Sequence, residues 1–297
     1  SVSLEEKKQF LDSIDTIISD CDGVLFDSNG AIKNAPSAVE ELKRQGKSVY
    51  FVSNTVRPIE AVVKRIENFG FINISAESII STGRLLVDYL HDNLPAGKGV
   101  YSIGNSYVCD ELQNHNIKCF GYGKDEMDAT VAENISTIPI DTRDDVGAVV
   151  VGFDIYFNYL KLLKAFLYLK NKDCLFITIN MEETFPSSSG VPLPCGKPIV
   201  EAIKAASGRE PIFLGKPGTH MTDVLKRKFD PQRTLFVGDR LNRDIFLGHK
   251  CSFRTLFVLT GTDDLDDMKK YMNSDNAEEH MYVPDYYTKA LPDLVLM

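Results

Sequence analysis

Short runs of apolar, largely β-branched residues recur along the chain, each bounded by turn formers. They are TIIS (16–19), VYFVS (49–53), VYSIG (100–104), AVVVG (148–152), LFITI (175–179), TLFVG (234–238) and TLFVL (255–259). Apolar residues fill consecutive rather than alternate positions, so both faces of each strand have to be covered, as in a parallel sheet flanked by helices. Between the runs the period lengthens to that of a helix. In PIEAVVKRIENFG (58–70), Ile59, Val62, Val63 and Ile66 fall at i, i+3, i+4 and i+7, and Gly70 supplies a stop. This alternation predicts an α/β fold with parallel sheets. NLPAGKG (93–99) and SSSGVPLPCGKP (187–198) read as loops, and the acidic, polar stretch 124–145 reads as an exposed excursion.

A chain of 297 residues with 43% hydrophobic content holds enough apolar material for roughly two domains. Its formal net charge of −9, with no basic stretch to offset it, argues against a nucleic-acid partner. No apolar run approaches the length of a membrane span, and the charged beginning SVSLEEKKQF lacks a signal-peptide core. Six cysteines lie scattered without a CxxC pair, which reads as reduced thiols in a cytoplasmic protein. The sequons at Asn73 and Asn134 read as chance, and the five histidines show no metal-ligand spacing.

Polar chemistry gathers where strand candidates end. Asp20-Cys21-Asp22-Gly23 follows the first, Ser53-Asn54-Thr55 closes the second, Gly215-Lys216-Pro217 follows PIFL, and Gly238-Asp239-Arg240 follows TLFV with Asp244 just beyond. Taken singly, each has an ordinary explanation as a helix cap or a turn. As neighbours in one parallel sheet they would converge on its carboxyl edge, where such sheets bind ligands. The set then suits phosphoryl transfer. One carboxylate can attack phosphorus, and Mg²⁺ held by Asp20 and Asp239 can neutralise the approach of two anions. Lysine, hydroxyl and amide donors can hold the phosphate oxygens while the second carboxylate carries a proton.

That ordered set resembles the haloacid dehalogenase-like phosphatases. Asp20-Cys21-Asp22-Gly23-Val24 matches their first motif, Ser53 followed by Asn54 the second, Lys216 the third, and Gly238-Asp239 with Asp244 the fourth. The resemblance implies a Rossmann-like parallel-sheet core with Asp20 as nucleophile and Asp22 as acid/base. It implies Mg²⁺ held by Asp20, Asp239 and the Asp22 carbonyl, with Asp244 behind them, and phosphate held by Ser53, Asn54 and Lys216. DCDGVLF, GKSVYFVSNT, VVVGFDIYFNYLKL, GKP, VGDRLNRDIFLG and LTG extend the similarity to the 4-nitrophenylphosphatase, phosphoglycolate phosphatase and pyridoxal phosphatase branch. In that branch an α/β cap of type C2 is inserted between the second and third motifs. Here the cap would span 83–207, leaving 1–82 and 208–297 as core. Such caps cover the site, select substrate and often form homodimers.

The sequence departs from the branch in several places. Ile179-Asn180-Met181-Glu182 stands where Thr-Asn-x-Asp is common, and Pro194-Cys195-Gly196-Lys197 replaces a Pro-Gly-x-Gly turn. Asn180 and Glu182 are therefore the expected substrate-selecting positions. Arg243 stands where Thr is usual, and Phe26 where Trp is common. Cys21 is expected to point into the sheet, away from both carboxylates, by strand alternation. The leading expectation is a Mg²⁺-dependent phosphomonoester hydrolase of small phosphorylated metabolites, of the 4-nitrophenyl phosphate or phosphoglycolate type. Pyridoxal phosphate hydrolysis, phosphoryl transfer to another acceptor and a catalytically silent binding protein are the alternatives.

Overall fold

All seven apolar runs form strands in the computed structural model, which describes residues 4–126, 141–185 and 190–295. They fall into two compact units, each built on its own parallel sheet. The first unit comprises residues up to Ser53, Ile59–Ser81 and the chain from Lys216 onward; the second comprises Asn54–Pro58 and Thr82–Gly215.

In the first unit six strands lie in the order Tyr286–Thr288, Arg254–Val258, Thr234–Gly238, Thr16–Ser19, Ser48–Ser53 and Ile79–Ser81. Every pairing is parallel. The helix Ile59–Asn68 turns Ile59, Val62 and Ile66 onto one face of this sheet, packing in a cluster with Ile17, Phe51 and Leu235. Each large aliphatic side chain buried this way contributes roughly 1.5–3 kcal/mol of transfer free energy.

The second sheet runs Ile212–Phe213, Leu175–Thr178, Val146–Val151, Gly99–Ile103 and Cys119–Phe120, again all parallel. Its central strand, VGAVVV, is buried at every position. Ala148 and Val150 join Leu86, Leu112 and Ile177 on one face, while Val149 and Val151 join Phe176, Val200 and Ile203 on the other. The continuous apolar run in the sequence therefore serves two cores at once.

Three expectations change. PIFL does not enter the first sheet: Ile212 and Phe213 pair with Ile177 and Thr178, and Leu214 N–H donates to Thr178 at 3.1 Å. That pairing moves the boundary expected at 207/208 to Gly215. The other boundary, expected at 82/83, also shifts, because Asn54–Pro58 joins the second unit. Thr82 Oγ1 donates to Asn54 Oδ1, and Gly83 N–H donates to the Thr55 carbonyl at 3.1 Å. The cysteines are not all reduced, since Cys109 and Cys119 form a disulfide with Cα atoms 5.1 Å apart.

Cys21, Cys174, Cys195 and Cys251 are free and buried. No helix among the described residues is long and apolar enough to cross a membrane. Residues 127–140 of the acidic excursion, with the Asn134 sequon, and residues 187–189 of the SSSG loop lie outside the described residues.

Candidate active site

Strand register brings the first motif beside the fourth. Ser19 lies level with Val237 on one side and Phe51 on the other, so Asp20 leaves the sheet beside Gly238 and Val52. Ser53 and Asp239 each stand one residue further along the same edge. The Asp20 N–H donates to the Val237 carbonyl at 2.9 Å, fixing the departure of the chain. Asp20, Ser53 and Asp239 are all buried. Cys21 is buried in the apolar cluster with Val24, Leu25 and Phe26, as strand alternation predicts.

Lys216 reaches this edge although no strand of the first sheet delivers it. Its ammonium donates to the Val52 carbonyl at 3.2 Å and pairs with Asp20 Oδ1 and Asp244 Oδ1, each at 2.8 Å. Asp20 Oδ1 also accepts the Cys21 N–H at 2.6 Å. The turn Leu241–Ile245 is a single π-helical turn, a form that gathers at functional sites. It presents two neighbours to the same spot. Asp244 Oδ2 accepts the Arg240 N–H at 3.2 Å, and Arg243 Nη2 lies 3.4 Å from Asp20 Oδ2, with its Nε 3.7 Å from Asp244 Oδ1.

Asp239 is held from the loop after the Arg254–Val258 strand, where the Thr262 N–H donates to its Oδ2 at 2.8 Å. Glycines make this approach possible. A Cβ on Gly23, whose φ is +86°, would lie 2.5 Å from Asp239 Oδ2, and one on Gly261 would overlap the same carboxylate. Asp239 Oδ1 is buried with no hydrogen-bond partner among the described residues. Burying an unsatisfied carboxylate oxygen is costly unless a proton or cation completes it.

The carboxylate oxygens of Asp20, Asp239 and Asp244 include one each within 4.8 Å of one another. Hard oxygen donors around an unsatisfied one fit Mg²⁺. Electrostatics sorts the three. Burial, then the Asp244 charge, push Asp20 up to about 7 against the pull of Lys216 and Arg243. Burial, then Asp244, likewise push Asp239 up to about 6. For Asp244 burial works in the same direction, but Lys216 and Arg243 together overcome it and hold the carboxyl below its usual range. Asp20 and Asp244 in turn overcome the burial of Lys216 and raise its ammonium above the ordinary lysine value.

The remaining expected residues are distributed differently. The Asp22 side chain is more than half exposed and stands apart from the trio, paired with Arg65 at 2.9 Å. Arg65 stacks 4.7 Å over Phe26, which itself stacks on Phe69. Asn54 belongs to the second unit. In the same unit Asn180 organises its own loop. Its Oδ1 accepts the Glu182 N–H at 3.0 Å and the Cys195 thiol at 3.5 Å. The Cys195 N–H donates to Glu183 O and the Lys197 N–H to Glu182 O, at 2.8 and 3.0 Å, starting the helix Gly196–Ser207.

Motif reading passed over two contributors, Thr262 as the holder of Asp239 and Arg243 as a second cation at Asp20. The Thr-Gly-Thr turn after the TLFVL run was the available signal for the first. Arg243 was visible only as a departure from a pattern.

Residues 17–118 match the model of the haloacid dehalogenase-like hydrolases, and residues 213–293 match a HAD-hydrolase-like model. The chain belongs to the haloacid dehalogenase-like hydrolase family. Among its relatives, a glycerol-3-phosphate phosphatase of Gallus gallus is 32% identical over 295 residues, covering 98% of this chain and 94% of that one. The chloroplastic phosphoglycolate phosphatase 1A of Arabidopsis thaliana is 33% identical over 297 residues, covering 98% of this chain and 79% of that one. A 4-nitrophenylphosphatase from Thermotoga maritima shares the fold, with a TM-score of 0.73 at 24% identity over 96% of this chain and 97% of that chain.

Proposed function

We propose that the protein is a Mg²⁺-dependent phosphomonoester hydrolase of small phosphorylated metabolites, working through a phosphorylated Asp20. The observation that carries this reading is the buried trio Asp20, Asp239 and Asp244, in which one Asp239 oxygen has no hydrogen-bond partner among the described residues while the buried Lys216 ammonium pairs with Asp20. A bound cation would complete that oxygen. The names of the relatives, phosphatases of glycerol 3-phosphate and phosphoglycolate, support the substrate class.

Asp20 and Asp239 would hold the cation, with Asp244 behind them, and the bound cation would neutralise phosphate charge. An Asp20 carboxylate oxygen forms a bond to phosphorus as the ester P–O bond breaks, and the leaving oxygen takes a proton from Asp22. Water then gives its proton to Asp22 and attacks phosphorus, which releases inorganic phosphate and restores Asp20. Lys216 keeps Asp20 oriented throughout and supplies positive charge where the phosphate arrives. Asp22 has to leave Arg65 to take part, and its exposure permits that rotation.

The test is phosphate release from 4-nitrophenyl phosphate, glycerol 3-phosphate and phosphoglycolate with and without Mg²⁺. Asp20→Asn should lower kcat by at least about a thousandfold, because the nucleophile is lost. Equal rates in the two proteins would refute the reading.

A further inference from the structure

Lys216 and Arg243 both reach the carboxylates Asp20 and Asp244 at this edge, and they differ in burial. Lys216 is locked in place: its side chain is 1% exposed, and its ammonium bridges Asp20, Asp244 and the Val52 carbonyl. Arg243 lies nearer the surface. Its side chain is 18% exposed, and its approach to Asp20 Oδ2, at 3.4 Å, is longer than the 2.7–2.9 Å usual for a charge-assisted hydrogen bond.

The oxygens divide accordingly. Asp20 Oδ1 is taken by Lys216 and the Cys21 N–H, and Asp244 Oδ1 by Lys216. Asp244 Oδ2 accepts the Arg240 N–H, and Asp239 Oδ2 accepts the Thr262 N–H. Asp239 Oδ1 and Asp20 Oδ2 are what remain for a divalent cation, and Arg243 lies against the second of them. A guanidinium and a divalent cation sharing one oxygen repel each other in a site where burial weakens screening.

We propose that Arg243 is an internal competitor of the divalent cation for Asp20, so that it sets how tightly this chain holds its metal and moves outward when the metal enters. Its partial exposure gives the guanidinium somewhere to go, whereas Lys216 has none. Because the coupling is reciprocal, the metal weakens Arg243's hold on Asp20 by as much as Arg243 weakens the metal. The inference rests on the reading above that Asp20 and Asp239 take a divalent cation.

The experiment titrates Mn²⁺ into the full chain and counts free ion by electron paramagnetic resonance, for wild type, Arg243→Gln, Arg243→Lys and Asp239→Asn. Mg²⁺-dependent thermal stabilisation provides a second readout. Arg243→Gln should bind Mn²⁺ at least about tenfold more tightly than wild type, since the competing charge is gone. Arg243→Lys, which keeps that charge, should stay within about threefold. Arg243→Met, of similar length and neutral, repeats the test if the Gln variant does not fold. Unchanged affinity in the neutral variants, or equal tightening in Arg243→Lys, would overturn the competition. If wild type and Asp239→Asn bind Mn²⁺ alike, the metal reading itself fails, and that result is distinct from the first two.

Discussion

Lys216 keeps its charge with almost no contact with water because Asp20 and Asp244 each approach within 2.8 Å. Removing one member of a buried ion cluster leaves the others uncompensated, which costs roughly 3–5 kcal/mol. Lys216→Met should therefore lower the unfolding free energy measured in urea by an amount in that range, with the slope unchanged. A loss below about 1 kcal/mol would mean that water or Arg243 already screens the two carboxylates. At this scale the sequence was informative about identity and silent about partners. Asp20, Asp239 and Lys216 were legible because each follows an apolar run in a motif. The contact of Arg243 with Asp20 was not, because it depends on a π-helical turn that no local propensity specifies.

Among elements, the long central strands were legible and the edges were not. Val146–Val151 announces itself by six buried apolar positions, whereas Ile79–Ser81 and Tyr286–Thr288 have three residues each and borrow their stability from neighbours. The disulfide belongs to this scale, joining the helix Ser106–Asn114 to the edge strand Cys119–Phe120. Spacing alone left six cysteines equivalent. Burial separates the rest, pushing the Cys174 thiol up to about 11 and Cys251 to about 12. At pH 8 only about one Cys174 thiol in a thousand is then ionised, so the native protein should react slowly with iodoacetamide. Unfolding without reductant should expose four alkylation sites by intact mass, and reduction first should expose six. Six sites without reduction would rule out the disulfide.

For the whole molecule, two sheets imply two cores, and a change in one core tests whether the site depends on the other. Ile203, fully buried beside Val149 and Val151, belongs to the second unit, while the carboxylate trio belongs to the first. Ile203→Ala should cost about 2–5 kcal/mol through lost transfer energy and the cavity left behind. Mn²⁺ affinity should stay within about twofold, since Ile203 and the carboxylate trio belong to different units. A tenfold loss of affinity would show that cation binding draws on the second core as well.

The sequence by itself determined the α/β class, the parallel strands, the order of the motifs and the family they mark. Those follow from local periodicity and from side-chain chemistry carried within a few residues. Only the tertiary structure decided which sheet each strand joined, as PIFL makes plain by pairing with Leu175–Thr178. It also decided that Asp22 faces Arg65 and that Arg243 shares Asp20 with Lys216. These outcomes depend on pairing and burial between residues from 35 to more than 200 positions apart, which no window along the chain contains.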